Sequence, residues 1–287
     1  MKLVSFSHRG TRGVGVLDQG SIHGHLASDP EFPGELDALV RDPSLDLGRN
    51  HFFAGAPTFA LDAVQFLPPL IRPDKIVCVG LNYRDHTAET QYAQPDYPTL
   101  FTRFTSSLIA HGAPLIRPRV SQALDFEGEL VAVIGRGGRH IGRDEALNHV
   151  SGYSIFNDAS IRDYQHRTPQ WTVGKNFDGT GSFGPVFVTA DELPAGARGL
   201  GIETRLNGEV VQKSNTGNLI FDVATLISTI SEVMTLRPGD LIVTGTPAGI
   251  GHSRTPKLYM KPGDRVEVEI EGIGTLRNVV ADETEED

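Results

Sequence analysis

Only one cysteine, Cys78, occurs in 287 residues. No internal disulfide can form, and the fold must be held by burial. Cys78 stands in the apolar run Ile76-Val77-Cys78-Val79, where a small buried thiol is expected. No segment approaches the ~18 consecutive apolar residues of a membrane span. The start, MKLVSFSHRGTRG, has no apolar stretch of the signal-peptide kind. Basic residues are scarce: Lys plus Arg total 26 against 36 Asp plus Glu, a formal charge of -10. A field of that sign repels phosphate backbones and anionic membranes, so neither nucleic acid nor a membrane is an expected partner. Hydrophobic residues at 39% and charged residues at 22% exclude a disordered chain. The expectation is a cytoplasmic globular protein.

Residues 1 to about 70 carry short apolar pieces, such as Leu3-Val4 and Val14-Gly15-Val16-Leu17, between Gly, Asp and Pro breaks. They read as a small β-rich N-terminal domain with one helix over Pro33 to Val40, where Leu36, Leu39 and Val40 recur at helical spacing. Pro68, Pro69 and Pro73 mark a linker. From Lys75 onward strand signals are dense: Ile76 to Gly80, Glu127 to Gly135, Val150 to Asn157, Val186 to Thr189, Ile202 to Leu206, Val210 to Lys213, Asp240 to Thr244 and Val266 to Ile270. Most connections lack a helix, which predicts antiparallel or mixed sheets rather than a doubly wound fold. Asn207-Gly208 predicts a two-residue hairpin. Phe221, Ala224, Ile227, Ile230 and Met234 predict a helix with one apolar face. In Val266-Glu267-Val268-Glu269-Ile270-Glu271 the acidic residues alternate with apolar ones and read as a solvated face.

The stretch Asp125-Phe126-Glu127-Gly128-Glu129-Leu130 carries the first chemical signal. On a strand its three acidic residues share a face, and both faces turn apolar after Glu129. Carboxylates at the rim of a buried strand repel unless a cation sits between them. Hard oxygen donors of this kind suit Mg²⁺, Mn²⁺ or Ca²⁺; a salt-bridged pair is the other reading. Asp158 closes a second apolar run and is either a third carboxylate of the set or the cap of a turn. Arg162 follows four positions later.

His86 and Glu89 are three apart, close enough on a helix for Glu89 to orient the imidazole as a base; a surface pair is the alternative. Gly179-Thr180-Gly181-Ser182-Phe183-Gly184 has the glycine spacing of a dinucleotide fingerprint. No strand feeds it, however, and Pro185 blocks the required helix, so it is rejected as a nucleotide loop. Lys175 is either a surface lysine or a positive charge aimed at an anionic substrate. Thr244-Gly245-Thr246-Pro247 follows a strand and is either a plain turn or a set of backbone amides for a carboxylate.

In order and type these pieces resemble the fumarylacetoacetate hydrolase superfamily, especially its shorter acylpyruvase, fumarylpyruvate hydrolase and hydroxyheptadienedioate isomerase branch. The matching residues are Gly80-Leu81-Asn82-Tyr83 with His86 and Glu89, Phe101 through Leu108, Asp125 through Leu130, Asn157-Asp158 with Arg162 and Gln165, Gly174-Lys175, Asn207-Gly208 and Thr244 through Pro247. The resemblance implies an α+β fold, a mixed β-roll or barrel-like sandwich over 71–287 behind a small α/β domain over 1–70, and a homodimer. It implies Glu127, Glu129 and Asp158 as ligands of Mg²⁺ or Mn²⁺, with Asp125 behind them. It assigns catalytic roles to His86, Glu89 and Lys175, the first two on a lid that spans 85–97. Substrate contacts are implied for Tyr83, Arg84, Arg103, Arg162, Gln165, Gly245 and Thr246. Arg103 departs from the family, which often has lysine there.

The activity implied is metal-dependent hydrolysis of a carbon–carbon bond in an acylpyruvate-type 2,4-dioxo acid, releasing pyruvate in aromatic catabolism. The same enolate chemistry without water would make an isomerase, a decarboxylase or a lyase. A relative that binds a 2-oxo acid without turnover is the alternative from another class.

Overall fold

The computed structural model describes residues 1–48, 52–84 and 96–284. Its α+β architecture of mixed sheets with few helices is the one expected. The N-terminal part supplies β1 (Lys2–His8), β2 (Thr11–Asp18), β3 (Ser21–Leu26), β4 (Thr58–Ala60) and β5 (Gln65–Phe66). The rest supplies β6 (Ile76–Gly80), β7 (Thr99–Arg103), β8 (Leu108–Ile109), β9 (Pro114–Arg117), β10 (Leu124–Asp125), β11 (Gly128–Ile134), β12 (Val150–Asp158), β13 (Ser160–Ile161) and β14 (Gly181–Thr189). It continues with β15 (Gly201–Leu206), β16 (Glu209–Asn215), β17 (Leu241–Val243), β18 (Arg265–Ile270) and β19 (Gly274–Asp282).

One large sheet runs β4-β3-β2-β1-β14-β12-β11-β17-β6-β7, with β5 on β1 and β8 on β14. A five-stranded sheet runs β16-β15-β18-β19-β9, and β10 pairs with β13 alone. The N-terminal strands join the large sheet, since Lys2 pairs with Val188 and Leu3 with Phe187. The prolines at 68 and 69 lie between β5 and β6. We therefore propose the division near residue 70 as one of chain segments that share a sheet.

Strand β11 is central because both its faces are apolar. Leu130, Ala132 and Ile134 enter the core that faces the five-stranded sheet and the helix Val223–Val233, whereas Val131 and Val133 join Leu3, Val14 and Phe187 on the other face. Burial on both sides fixes its register against β12 and β17. The helix Val223–Val233 buries Val223, Ala224, Leu226, Ile227 and Ile230, and the Asp222 side chain accepts the Thr225 N–H at its start. The N-terminal helix spans Leu36–Arg41, inside the expected region. Asn207 and Gly208, at φ 54° and 87°, close the β15–β16 hairpin as a type I′ turn requires.

Two expectations are corrected. The strand expected at Val186 to Thr189 begins earlier: β14 starts at Gly181, where a Cβ would come within 3.1 Å of the Arg103 and Phe156 side chains. Glycine lets the strand pass over a buried arginine. Nor is Glu267 on a solvated face. It is buried, 2.7 Å from Arg277 Nε and within 4 Å of Arg205 and Arg265. Among the described residues, no helix is long and apolar enough to cross a membrane.

Candidate metal centre and active site

The acidic segment is not one continuous strand. Strand β10 ends at Asp125 and β11 begins at Gly128, so Phe126 and Glu127 form a break that turns neighbouring carboxylates in different directions. Asp125 accepts from the backbone N–H groups of Phe126, Gly251 and His252 at 2.8, 2.8 and 2.9 Å and from Arg162 Nε at 2.8 Å. It stands behind the site as an anchor. Glu127 is fixed by its own N–H, which Asn157 Oδ1 accepts at 3.0 Å. Its two carboxylate oxygens face Arg162 Nη2 and Lys175 Nζ, each at 2.7 Å.

Glu129 lies one strand pleat further on, and Asp158 closes β12 beside it. Glu127, Glu129 and Asp158 bring one ligand oxygen each to within 4.8 Å of one another, and all three are buried. Lys175 Nζ donates to Glu127 Oε2 and Asp158 Oδ2, each at 2.7 Å. Arg103, also buried, donates to Asp158 and to Thr180 Oγ1. Glu129 has no cation within ion-pair distance among the described residues; the Gly245 N–H donates to it at 2.5 Å. Burial, then the charges of Asp158 and Glu127, pushes the Glu129 carboxyl well above its ordinary range. Burial opposes the charge on Lys175, but Asp158 and Glu127 outweigh it and raise its pKa. The ammonium is therefore a fixed charge rather than a base at neutral pH.

This oxygen-only donor set fits a divalent ion of the Mg²⁺, Mn²⁺ or Ca²⁺ type. An under-compensated carboxylate flanked by two more is the condition under which a hard cation is held tightly.

Two short helical segments, Arg162–Gln165 and Thr172–Lys175, build the wall beside the carboxylates. They touch through Gly174, where a Cβ would meet Gln165 N at 2.3 Å. The glycine places Lys175 against the carboxylates. Gln165 Oε1 accepts from Arg162 Nη1 at 2.8 Å, and both side chains are buried. Thr246 Oγ1 donates to Gly128 O at 3.0 Å and accepts from Gln212 Nε2 at 2.9 Å.

Not all expected residues converge. Lys175, Arg162, Gln165, Gly245 and Thr246 gather around the carboxylates. Arg103 stands behind Asp158, its guanidinium engaged with Asp158, Ala159 O, Thr180 and Ser107. Tyr83 is buried in the main core and bridges to Leu219, whereas Arg84 is exposed. His86 and Glu89, with most of the expected lid, lie outside the described residues. Gln212 was not singled out from sequence. Its Oε1 accepts the Gly128 N–H at 3.0 Å while its Nε2 reaches Thr246 and Pro247, tying β11 to the turn after β17. A glutamine in the middle of an ordinary strand carries no local signal of that role.

The family profile described as fumarylacetoacetate (FAA) hydrolase, C-terminal, matches residues 75–281. The chain belongs to the fumarylacetoacetate hydrolase family. It is 40% identical over 272 residues to the human mitochondrial oxaloacetate tautomerase FAHD2A, covering 93% of this chain and 86% of that protein. The fumarylacetoacetate hydrolase structure from Exiguobacterium antarcticum superposes with a TM-score of 0.84 at 38% identity, over 99% of this chain and 100% of that one. Maleylpyruvate hydrolase from Sphingobium superposes with a TM-score of 0.81 at 28% identity, with the same coverage of both chains. Members of the family thus named act on small molecules, and this member carries the buried acidic triad in the matched segment.

Proposed function

We propose that the protein is a divalent-metal-dependent enzyme of 2-oxo acid enol chemistry, and that its reaction is the keto–enol tautomerisation of oxaloacetate or a close analogue. The observation that carries this reading is the buried triad Glu127, Glu129 and Asp158 with the Lys175 ammonium 2.7 Å from two of its members. The tautomerase relatives, matching over 93% of the chain, favour this reaction over hydrolysis.

Glu127, Glu129 and Asp158 would hold the ion. When bound, it supplies a Lewis acid toward the carboxylate and keto oxygens of a 2-oxo acid. The chain's own groups do the rest. Tautomerisation moves one proton from C3 to the keto oxygen, and negative charge gathers on that oxygen in between. Lys175, held charged by two carboxylates, stabilises the gathering charge without accepting a proton itself. Arg162 holds Glu127 and Gln165 in place through 2.7 and 2.8 Å contacts. His86, oriented by Glu89, carries the C3 proton in this reading.

Hydrolytic release of pyruvate from an acylpyruvate is the second reading, favoured by the maleylpyruvate hydrolase structure. It needs a water beside His86 that tautomerisation does not need. A role in aromatic catabolism, a homodimer and a reducing, cytoplasmic setting belong to the same proposal.

The experiment is to load purified protein with Mg²⁺ or Mn²⁺ and follow oxaloacetate enol by ultraviolet absorbance, with pyruvate and CO₂ measured in parallel. Loss of enol signal faster than the uncatalysed rate, without pyruvate, supports the tautomerase. Pyruvate from acylpyruvates at a higher kcat/KM moves the assignment to hydrolase. No acceleration with any 2-oxo acid rejects both.

A further inference from the structure

Each carboxylate of the triad has one oxygen already engaged by a donor of the chain. Arg103 Nη1 donates to Asp158 Oδ1, Arg162 Nη2 lies 2.7 Å from Glu127 Oε1, and the Gly245 N–H donates to Glu129 Oε2. The opposite oxygens of Glu127 and Asp158 meet at Lys175 Nζ, 2.7 Å from each. On the metal reading above, on which this inference rests, an ion therefore finds one open oxygen per carboxylate.

Of the three donors, Arg103 at the end of β7 is held at every nitrogen. Its Nε donates to Ser107 Oγ at 3.2 Å, Nη1 donates also to Ala159 O at 3.2 Å, and Nη2 donates to Thr180 Oγ1 at 2.6 Å. Thr180 is held in turn, because its hydroxyl donates to Phe177 O at 2.6 Å. These partners come from three separate stretches of chain: the turn after β7, the link between β12 and β13, and the residue before β14. The Arg103 and Asp158 side chains are both fully buried. Space for the guanidinium comes from Gly181, where a Cβ would stand 3.1 Å from Nε, and the Phe156 ring lies 5.6 Å from Cζ. A guanidinium pinned in this way cannot follow the carboxylate. Turning Asp158 to present both oxygens to an ion would strip a buried cation of its counter-charge.

The number of open oxygens matters because ions differ in how many they take. Mg²⁺ keeps to six octahedral ligands, whereas Ca²⁺ takes six to eight oxygens and accepts both oxygens of one carboxylate. Three single oxygens suit a six-coordinate ion completed by substrate and water.

We propose that Arg103 is a positioning residue that restricts Asp158 to ligation through one oxygen, and that it thereby makes the centre discriminate against Ca²⁺. A lysine would supply the same charge from a single nitrogen, which cannot hold Asp158, Ser107 and Thr180 at once. The fork of the guanidinium, not its charge alone, carries the effect.

The test is calorimetric titration of metal-free wild type, Arg103→Lys and Thr180→Val with Mg²⁺ and with Ca²⁺, no substrate being present. In Arg103→Lys the ratio of the Ca²⁺ Kd to the Mg²⁺ Kd should fall by about tenfold, because Asp158 becomes free to turn. Thr180→Val keeps the side-chain volume and frees only Nη2, so a fall of about threefold is expected there. This variant keeps the inference testable should Arg103→Lys fail to fold. A ratio unchanged in the folded variants, with both affinities intact or both weakened in parallel, overturns the inference and leaves Arg103 a structural support. Binding of neither ion to wild type overturns the metal reading and this inference with it.

Discussion

Gly245, at φ 101°, donates its backbone N–H to Glu129 Oε2 across 2.5 Å. A Cβ at this position would meet Asn82 Cβ at 2.8 Å and Val79 O at 2.9 Å. The turn after β17 can therefore aim its amide at the carboxylate only because the residue has no side chain.

Gly245→Ala is expected to cost about 1–3 kcal/mol through the strained φ and the contact with Asn82. It should also weaken metal binding by about tenfold or more, because a group that orients a ligand is disturbed. Thermal melts with and without Mn²⁺, together with metal titration, read both effects. An alanine variant with wild-type affinity would show that the amide does not orient Glu129.

Glu127→Ala leaves Lys175 and Arg162 each short of a buried partner, a loss of about 3–5 kcal/mol before the relief of the repulsion that Glu127 exerts on Glu129 is counted. Turnover of oxaloacetate should disappear in this variant, and in wild type treated with chelator. Activity undiminished in excess chelator would remove the metal from the mechanism.

Glu129 predicts how stability depends on pH in metal-free protein. Its folded pKa is raised above the ordinary 4.5, so the folded state binds more protons than the unfolded state above that value. Stability then falls as pH rises from about 4.5 toward the folded pKa. Denaturant melts at a series of pH values, with chelator, should show this decline. Saturating Mn²⁺ should abolish it, because the ion takes the place of the proton. A Glu129→Gln variant should lose the decline without metal.

Lys175→Met separates charge from fold. Removing the ammonium leaves Glu127 and Asp158 less compensated, so divalent metal should bind more tightly while kcat falls by about 10²-fold or more. Calorimetry and steady-state rates on the same preparation check the two opposite movements. Equal losses in affinity and kcat would instead mark Lys175 as a structural support.

The residue types of the centre were legible because their spacing and order carry the family pattern: Glu127 and Glu129 flank a glycine, Asp158 ends an apolar run, and Gly174-Lys175 and Thr244 through Pro247 keep their motifs. The strand β11 was visible for a simpler reason, a run buried on both faces. Local sequence could not show that the chain breaks at Phe126 and Glu127. That break depends on β10 pairing with β13 while β11 pairs with β12, contacts made by residues 16 to 37 positions apart. The misread face of Glu267 has the same origin, since Arg205 and Arg277 reach it from neighbouring strands.

By itself, the amino-acid order determined that no internal disulfide forms, that strands outweigh helices and that the carboxylates suit a hard cation, because these follow from composition and short-range periodicity; Glu127, Glu129 and Asp158 as one set came from the resemblance to the family, since local pattern left a salt bridge and a turn cap open. Only the tertiary structure decided that Arg103 stands behind Asp158, that Asp125 joins Arg162 to His252, and that Gln212 clamps β11 to the Thr246 turn. Hydrogen bonds between distant segments depend on where sheets bring them, and no local pattern encodes which partner a buried polar group will find.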